Sequence, residues 1–465
     1  MPPRPPRSRI VAIALRVLVV LVLIKFFVVD SVAVRTRSMD PTLPARANSP
    51  ESVLIDRTAA WRDPGRFDVV VFRYPNHQSI SYVKRVIGLP GEQIALRCGF
   101  AWMLPPSEVG DLESAWRAGT VKLLRKPRPL CDAFLSRLPV VDPLDLRGFT
   151  PSAFDRLCVV APEARGRLKF TDDYALEISG QQATLIEWRK SPVDSLPDVA
   201  ALLERREPSA QETGGENFVF GVAVGGVVTA STDAQAVLEI RLPDAIHRVR
   251  ARIPVEGAMT IEIDGAVVAT APTLLMAGVP TLVRLDTCDA TATLRVGDAD
   301  VLSADLTIVP RESPRRVGAA AAFGSAGGTC RFTRPIFARD LYWRDDGLSR
   351  FEIPRDQIMV LGDHPAASAD SRHWKRLYVR DLRDGSIFAG DVRTRHVGSD
   401  AEGPNPASNE DGTMEFTDIT GDVHKAPMGT FEVVGSEITP FVPLKALRGR
   451  AFAIAWPLSH TSWIE

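Results

Sequence analysis

The sequence predicts a mainly β protein: a β-rich core behind one N-terminal transmembrane helix, with a β-sandwich inserted into it. Three observations lead there. A mainly apolar run interrupted by Arg16 and Lys25 covers residues 10–29, short β-branched runs separated by turns fill 53–87, and period-two runs recur between 216 and 340. At 465 residues the chain is about three times the usual single-domain length, which leaves room for a large insertion.

The apolar run reads IVAIALRVLVVLVLIKFFVV, about 30 Å of helix and enough to cross a bilayer's hydrocarbon core. Arg16 and Lys25 lie off-centre, so their stems can snorkel toward opposite surfaces. Arg4, Arg7 and Arg9 favour a cytoplasmic N-terminus, although Arg35 and Arg37 follow closely. The run is longer than the apolar region of a secretory signal, and no A-x-A-like cleavage site follows it. Residues 1–29 are therefore expected to be a retained anchor in the inner membrane and lipid bilayer, with the rest on the extracytoplasmic side.

After the anchor, residues 30–96 give expected strands at Val53–Asp56, Asp68–Arg73 and Ser79–Ile87. Pro64-Gly65 and Leu89-Pro-Gly91 punctuate them. Residues 97–215 read as mixed structure with Pro-rich stretches. In 216–338, Val249, Ala251, Ile253 and Val255 alternate with Arg248, Arg250 and Arg252, the pattern of a half-buried strand. Leu238, Ile240 and Leu242 repeat it, and Asp264-Gly265 between two such runs is a hairpin signal. Several antiparallel strands at short spacing predict a sandwich, and the pattern resembles laminin-G and concanavalin-A-type jelly rolls. Residues 339–465 return to strands and turns, with a polar Gly/Asn/Asp-rich stretch at 398–428 expected to be an exposed excursion.

Composition narrows function mainly by exclusion. Lys and Arg total 56 against 57 Asp and Glu, a net charge of -1, so no global basic surface points to nucleic acid. Five cysteines, Cys98, Cys131, Cys158, Cys288 and Cys330, lack the C-x-x-C spacing of a structural zinc site, and their pairing stays open. H-E-x-x-H and G-x-x-x-x-G-K-[ST] are also missing, so no metal or nucleotide cofactor is implied.

The residues with chemistry are Ser38, in Thr36-Arg-Ser-Met-Asp-Pro-Thr-Leu43, and Lys84, in Ser81-Tyr-Val-Lys-Arg-Val-Ile87. By alternation Tyr82, Lys84 and Val86 share one strand face, which is either buried or ordinary surface. Burial has a chemical use. A serine hydroxyl needs an adjacent base, and a free lysine is almost all ammonium at neutral pH. Desolvation disfavours the ammonium and can bring a lysine into the working range, which makes a Ser–Lys pair a complete nucleophile and base.

At this point the sequence resembles the bacterial type I signal peptidases, membrane-anchored Ser–Lys proteases. Ser38-Met-Asp-Pro-Thr-Leu43 resembles their nucleophile box, and Asp68-Val-Val-Val-Phe-Arg-Tyr-Pro75 the strand that follows. Tyr82-Val-Lys-Arg-Val-Ile-Gly-Leu-Pro-Gly-Glu92 is similar to the lysine box. Gly362-Asp363 with Ser368-Ala-Asp-Ser-Arg-His-Trp374 is similar to the last box, and Gly449-Arg-Ala-Phe-Ala-Ile-Ala-Trp-Pro457 to the closing strand.

The resemblance implies a signal-peptidase-like β core in two parts, 30–96 and 339–465. Ser38 would be its nucleophile and Lys84 its general base. Thr36 would supply an oxyanion-hole hydroxyl beside the Ser38 N–H, Ser368 would orient the lysine, and Asp370 and Arg372 would form a supporting ion pair. Met39, Ser81, Tyr82 and Val83 would contact substrate, an extended segment of a secretory preprotein with small residues one and three positions before the cut. His364-Pro-Ala-Ala367 replaces the family's usual polar stretch after Asp363, with spacing kept. The inserted sandwich could bind a ligand that the sequence does not name. The competing reading from another class is a membrane-tethered binding module whose protease core is degenerate; retention of both Ser38 and Lys84 speaks against it.

Overall fold

The computed structural model describes residues 15–16, 28–45, 50–105, 112–138, 154–155, 157–189, 194, 217–243, 246–308, 317–345, 348–395 and 402–464. Only Leu15, Arg16, Val28 and Val29 of the apolar run are among them, so the expected anchor lies almost wholly outside the described residues. Among those residues no helix is long and apolar enough to cross a membrane. The chain is mainly β and divides into two compact units. Residues 1–95, 103–107 and 346–465 form the first, and 96–102 and 108–345 the second, which thus interrupts the first in sequence.

The first unit is built on an antiparallel eight-stranded sheet. Its strands are β1 (Val29–Val34), β2 (Glu51–Asp56), β3 (Val69–Tyr74), β4 (His77–Gly88), β5 (Gln357–Leu361), β6 (Phe441–Pro443), β7 (Leu447–Trp456) and β8 (Ser462–Trp463). The order is β1-β2-β7-β3-β4-β5-β6, with β8 on β7. Strand β3 explains the run VVVFRY. Val69 and Val71 pack with Met39, Leu43, Val53 and Ile55 in one core, while Val70, Phe72 and Tyr74 pack with Val86, Val360 and Trp374 in another. A strand covered on both faces reads as continuously apolar instead of alternating.

Strand β4 follows the same rule. Every residue from Val83 to Gly88 is buried, so Lys84 and its neighbour Arg85 are both inside although they point to opposite faces. Strand β5 pairs with β4 only from Arg85 to Gly88, which leaves Ser81–Lys84 without a β partner on that side among the described residues. Among the described residues strand β1 is the terminal strand of the sheet and pairs only with β2.

The stretch expected to be an exposed excursion is largely stranded. Residues 396–401 lie outside the described residues, but Glu402–Pro404, Ala407–Ser408, Thr413–Thr417 and Val423–Pro427 form hairpins. Its polar composition is turn chemistry: Asp411 and Asp418 accept main-chain N–H groups two residues on, and buried Asn405 bonds Asp391 O and Thr417 O.

The second unit holds two seven-stranded antiparallel sheets around one core that includes Leu238, Ile240, Val249, Ala251, Ile253 and Leu294. Arg248, Arg250 and Arg252 face outward, as alternation requires. Asp264 and Gly265 both have positive φ, 52° and 88°, the turn that joins Ala258–Ile263 to Ala266–Pro272. Four strands of the stretch read as mixed, Cys158–Val159, Leu168–Phe170, Leu176–Ser179 and Thr184–Trp188, complete the two sheets. Their lengths of two to five residues are too short for periodicity to register.

Candidate active site

A cleft of about 920 Å³ in the first unit is lined by Val32–Thr36 on one side and by Ser81–Lys84 of β4 on another. Thr36, Ser38, Ser81, Tyr82, Val83, Lys84 and Ser368 all line it. Ser38 sits in a one-turn 3-10 helix, Arg37–Met39, closed by Asp40 N donating to Arg37 O at 3.0 Å. Strand β4 delivers Lys84 from the opposite wall. Its Nζ donates to Ser38 Oγ at 2.6 Å, and the two residues are only 3 % and 8 % exposed. Nζ also lies 5.6 Å from the centroid of the Tyr82 ring, itself stacked on Tyr74. Thr36 Oγ1 lies 3.4 Å from Ser38 Oγ and is exposed to the cleft.

The last box closes over this pair. Asp370 and Arg372 form a two-point ion pair at 2.8 and 2.9 Å, both buried. That excludes a weak surface pair between them. Burial pushes the Asp370 carboxyl up, but the Arg372 guanidinium, the Gly362 N–H and the charge of Lys84 together bring it below its ordinary value. Arg372 also reaches Pro365 O at 3.1 Å. At Gly362 a Cβ would stand 2.2 Å from Ser368 Oγ and 2.4 Å from Ser38 O, so only glycine lets this strand end approach the nucleophile turn.

Two expected site residues are placed differently from the expectation. Met39 is wholly buried in the core with Leu43 and Val53, because the 3-10 turn sends it away from the side that carries Ser38. Ser368 reaches the cleft, but its Oγ is buried without a hydrogen-bond partner, so it does not orient Lys84 through a direct bond here.

Sequence reasoning assigned no role to a second buried cluster. Asp363 accepts from Arg85 Nε and Nη2 at 2.8 and 2.7 Å, and from Thr42 Oγ1 at 2.5 Å. Arg85 also donates to Thr42 Oγ1 and to Phe67 O. This network ties the nucleophile box, the lysine box and the last box together beneath the cleft. The available signal was an arginine next to Lys84 inside an apolar strand, together with an aspartate at the end of another.

Known proteins match this region. A family model described as "Signal peptidase, peptidase S26" matches residues 7–99. Residues 7–99 are thus similar to that family, about a fifth of the chain. Signal peptidase I of Pseudomonas aeruginosa is 33 % identical over 91 residues, 17 % of this chain and 31 % of that protein. Signal peptidase I of Rickettsia rickettsii is 60 % identical over 35 residues, 8 % of this chain and 13 % of that protein. The resemblance to signal peptidases is thus shown over a small part of the chain, which spans under a third of the length of these relatives.

Among solved structures, the carbohydrate-binding module CBM66 from Bacillus subtilis is similar over 39 % of this chain and 94 % of its own, at 12 % identity and a TM-score of 0.27. A Bacillus subtilis protein of unknown function with a galectin-like fold is similar over 42 % and 93 %, at 9 % identity and 0.28. Likeness of that order assigns neither ligand nor activity. Among the described residues one group has metal-ligating proximity, Cys131, Cys288 and Asp289, and its two sulfurs are joined in a disulfide.

Proposed function

We propose that the chain is a membrane-anchored serine endopeptidase that removes signal peptides from secreted preproteins, with Ser38 as nucleophile and Lys84 as general base. The observation that carries the reading is the 2.6 Å contact between Lys84 Nζ and Ser38 Oγ at a cleft bounded by open strand edges. A preprotein segment would add there as an extended strand along β1 and Ser81–Val83. Burial favours the neutral amine, which takes the Ser38 proton as Oγ attacks the scissile carbonyl. The Thr36 hydroxyl and the Ser38 N–H would bind the resulting oxyanion. The Lys84 ammonium then gives its proton to the departing amine, and a water activated by the same lysine releases the acyl group.

The far-side location rests on two supports, the apolar run at 10–29 and the Cys131–Cys288 disulfide, a bond that persists in oxidising compartments. The test is incubation of the full chain in detergent with a signal-bearing preprotein, beside Ser38→Ala and Lys84→Ala. Cleavage by wild type and none by either variant is expected; retained cleavage by either variant would overturn the pairing.

A further inference from the structure

The histidine that replaces the family's polar stretch has a place in the site. His364 is 1 % exposed and does not line the cleft, yet it meets the nucleophile turn at two points. Its Nδ1 lies 3.2 Å from Arg37 O, and its main-chain N–H donates to Ser38 O at 3.2 Å. A carbonyl oxygen only accepts, so Nδ1 carries a proton in this contact, with the buried Asp40 carboxylate 3.9 Å from the same nitrogen. The residues on either side are also anchored. Asp363 is held by Arg85 and Thr42, and Pro365 O by Arg372. His364 is therefore the link through which both buried ion pairs grip the two peptide units flanking the Ser38 side chain.

We infer that His364 is a positioning residue for Ser38, acting through its Nδ1–H bond to Arg37 O and not as a base. The inference rests on the proposed Ser–Lys reading. Arg37 O belongs to the peptide whose N–H is that of Ser38, the group assigned to the oxyanion. Arg37 O also accepts the Asp40 N–H at 3.0 Å, so His364 Nδ1 is the second donor that fixes the peptide plane, and with it the direction of the N–H on its other side. The bond touches no substrate, and the Ser38 N–H that it orients meets the oxyanion only as the reaction proceeds. Its loss should therefore lower the rate of the bound complex and leave substrate binding alone.

The experiment measures kcat and KM on a signal-bearing preprotein for wild type, His364→Ala, His364→Asn and His364→Leu in the full-length chain in detergent. An asparagine amide can occupy the place of Nδ1 and donate, whereas alanine and leucine cannot. The expected result is a fall in kcat of about 10-fold to 100-fold for His364→Ala and His364→Leu with KM within about twofold of wild type, and recovery to within about threefold for His364→Asn. A wild-type kcat for His364→Ala, or an asparagine variant as impaired as the leucine one, overturns the inference. If alanine leaves the chain unfolded, the comparison of asparagine with leucine still decides it. Failure of the underlying reading looks different: wild type would then cleave no preprotein, or Ser38→Ala would cleave as well as wild type.

Discussion

Each unit of this molecule buries a lysine against an aromatic ring, and the two lysines have different polar partners. Lys84 Nζ lies 5.6 Å from the Tyr82 ring centroid and Lys126 Nζ 5.4 Å from that of Trp343. Lys84 meets a neutral hydroxyl at 2.6 Å, at the wall of an open cleft. Lys126 is gripped by two carboxylates, Asp289 and, at 2.9 Å, Asp340. Burial works against the charge on Lys126, but Asp289 and Asp340 outweigh it and hold the amine above its ordinary value. Burial also raises Asp340, whose buried carboxylate is costly even beside the ammonium. Burial alone therefore does not make a base. The charge of the partner decides whether a dry lysine keeps its proton.

The sharpest way to break this comparison is the same substitution in both places. Lys84→Arg keeps charge and length but removes a group that can deprotonate, so preprotein cleavage should fall by about 10³-fold or more with no loss of fold. Lys126→Arg should leave cleavage unchanged, because that site asks only for a cation. Equal loss of activity from both would mean that the two lysines do not differ in the way described.

The next effect is on stability. Lys126→Ala leaves Asp289 and Asp340 buried without their cation, a change expected to cost about 3–5 kcal/mol. Urea unfolding followed by hydrogen exchange in residues 281–296 would register it in the second unit, and a change under about 1 kcal/mol would count against a charged Lys126. Lys84→Ala should cost less, since the hydroxyl it leaves behind is neutral and stands at a water-accessible cleft.

The difference between the two lysines also marks what could be read from sequence. The inward alternation around Val249, Ala251 and Ile253 and the Asp264-Gly265 turn were legible because period two and positive φ leave local signatures. Ser38 and Lys84 are 46 residues apart on elements whose meeting no periodicity dictates, so the chemistry of a serine with a desolvated lysine and the motif resemblance paired them. Lys126, Asp289 and Asp340 come from three separated segments and match no motif, and nothing local marks them. Residues 402–428 misled in the other direction. Turn-forming Asp, Asn and Gly crowd short hairpins, and composition then looks like a loop. Met39 and Ser368 show the limit of carrying roles over by position, since box position does not say which way a side chain leaves a turn.

A smaller effect tests the exposed side of the same pair. Thr36 presents its hydroxyl to the cleft 3.4 Å from Ser38 Oγ. If it is an oxyanion donor, Thr36→Val should lower kcat by about 10²-fold with little change in KM, and Thr36→Ser should restore most of it. A valine variant with altered KM and normal kcat would make Thr36 a wall of the cleft instead of part of the chemistry.

The smallest effect concerns Asp370, whose carboxyl the charge of Lys84 helps to bring down. The Asp370 carboxyl lies below its ordinary value in the folded chain, so folding favours its ionised form. The contribution is fully present above the unfolded aspartate value of about 3.9 and is lost as pH falls through the lower folded value. Stability of the first unit should therefore decline on acidification in that window. Asp370→Asn should flatten this part of the profile, while lowering stability at neutral pH because Arg372 loses a buried partner. The same variant bears on the opening contrast. The charge of Lys84 and the Asp370 carboxylate favour one another, so under the proposed Ser–Lys reading removal of that carboxylate should move the acid limb of kcat/KM to lower pH. An acid limb that does not move, with the stability profile flattened as expected, would assign Asp370 to holding Arg372 in place and not to tuning the base.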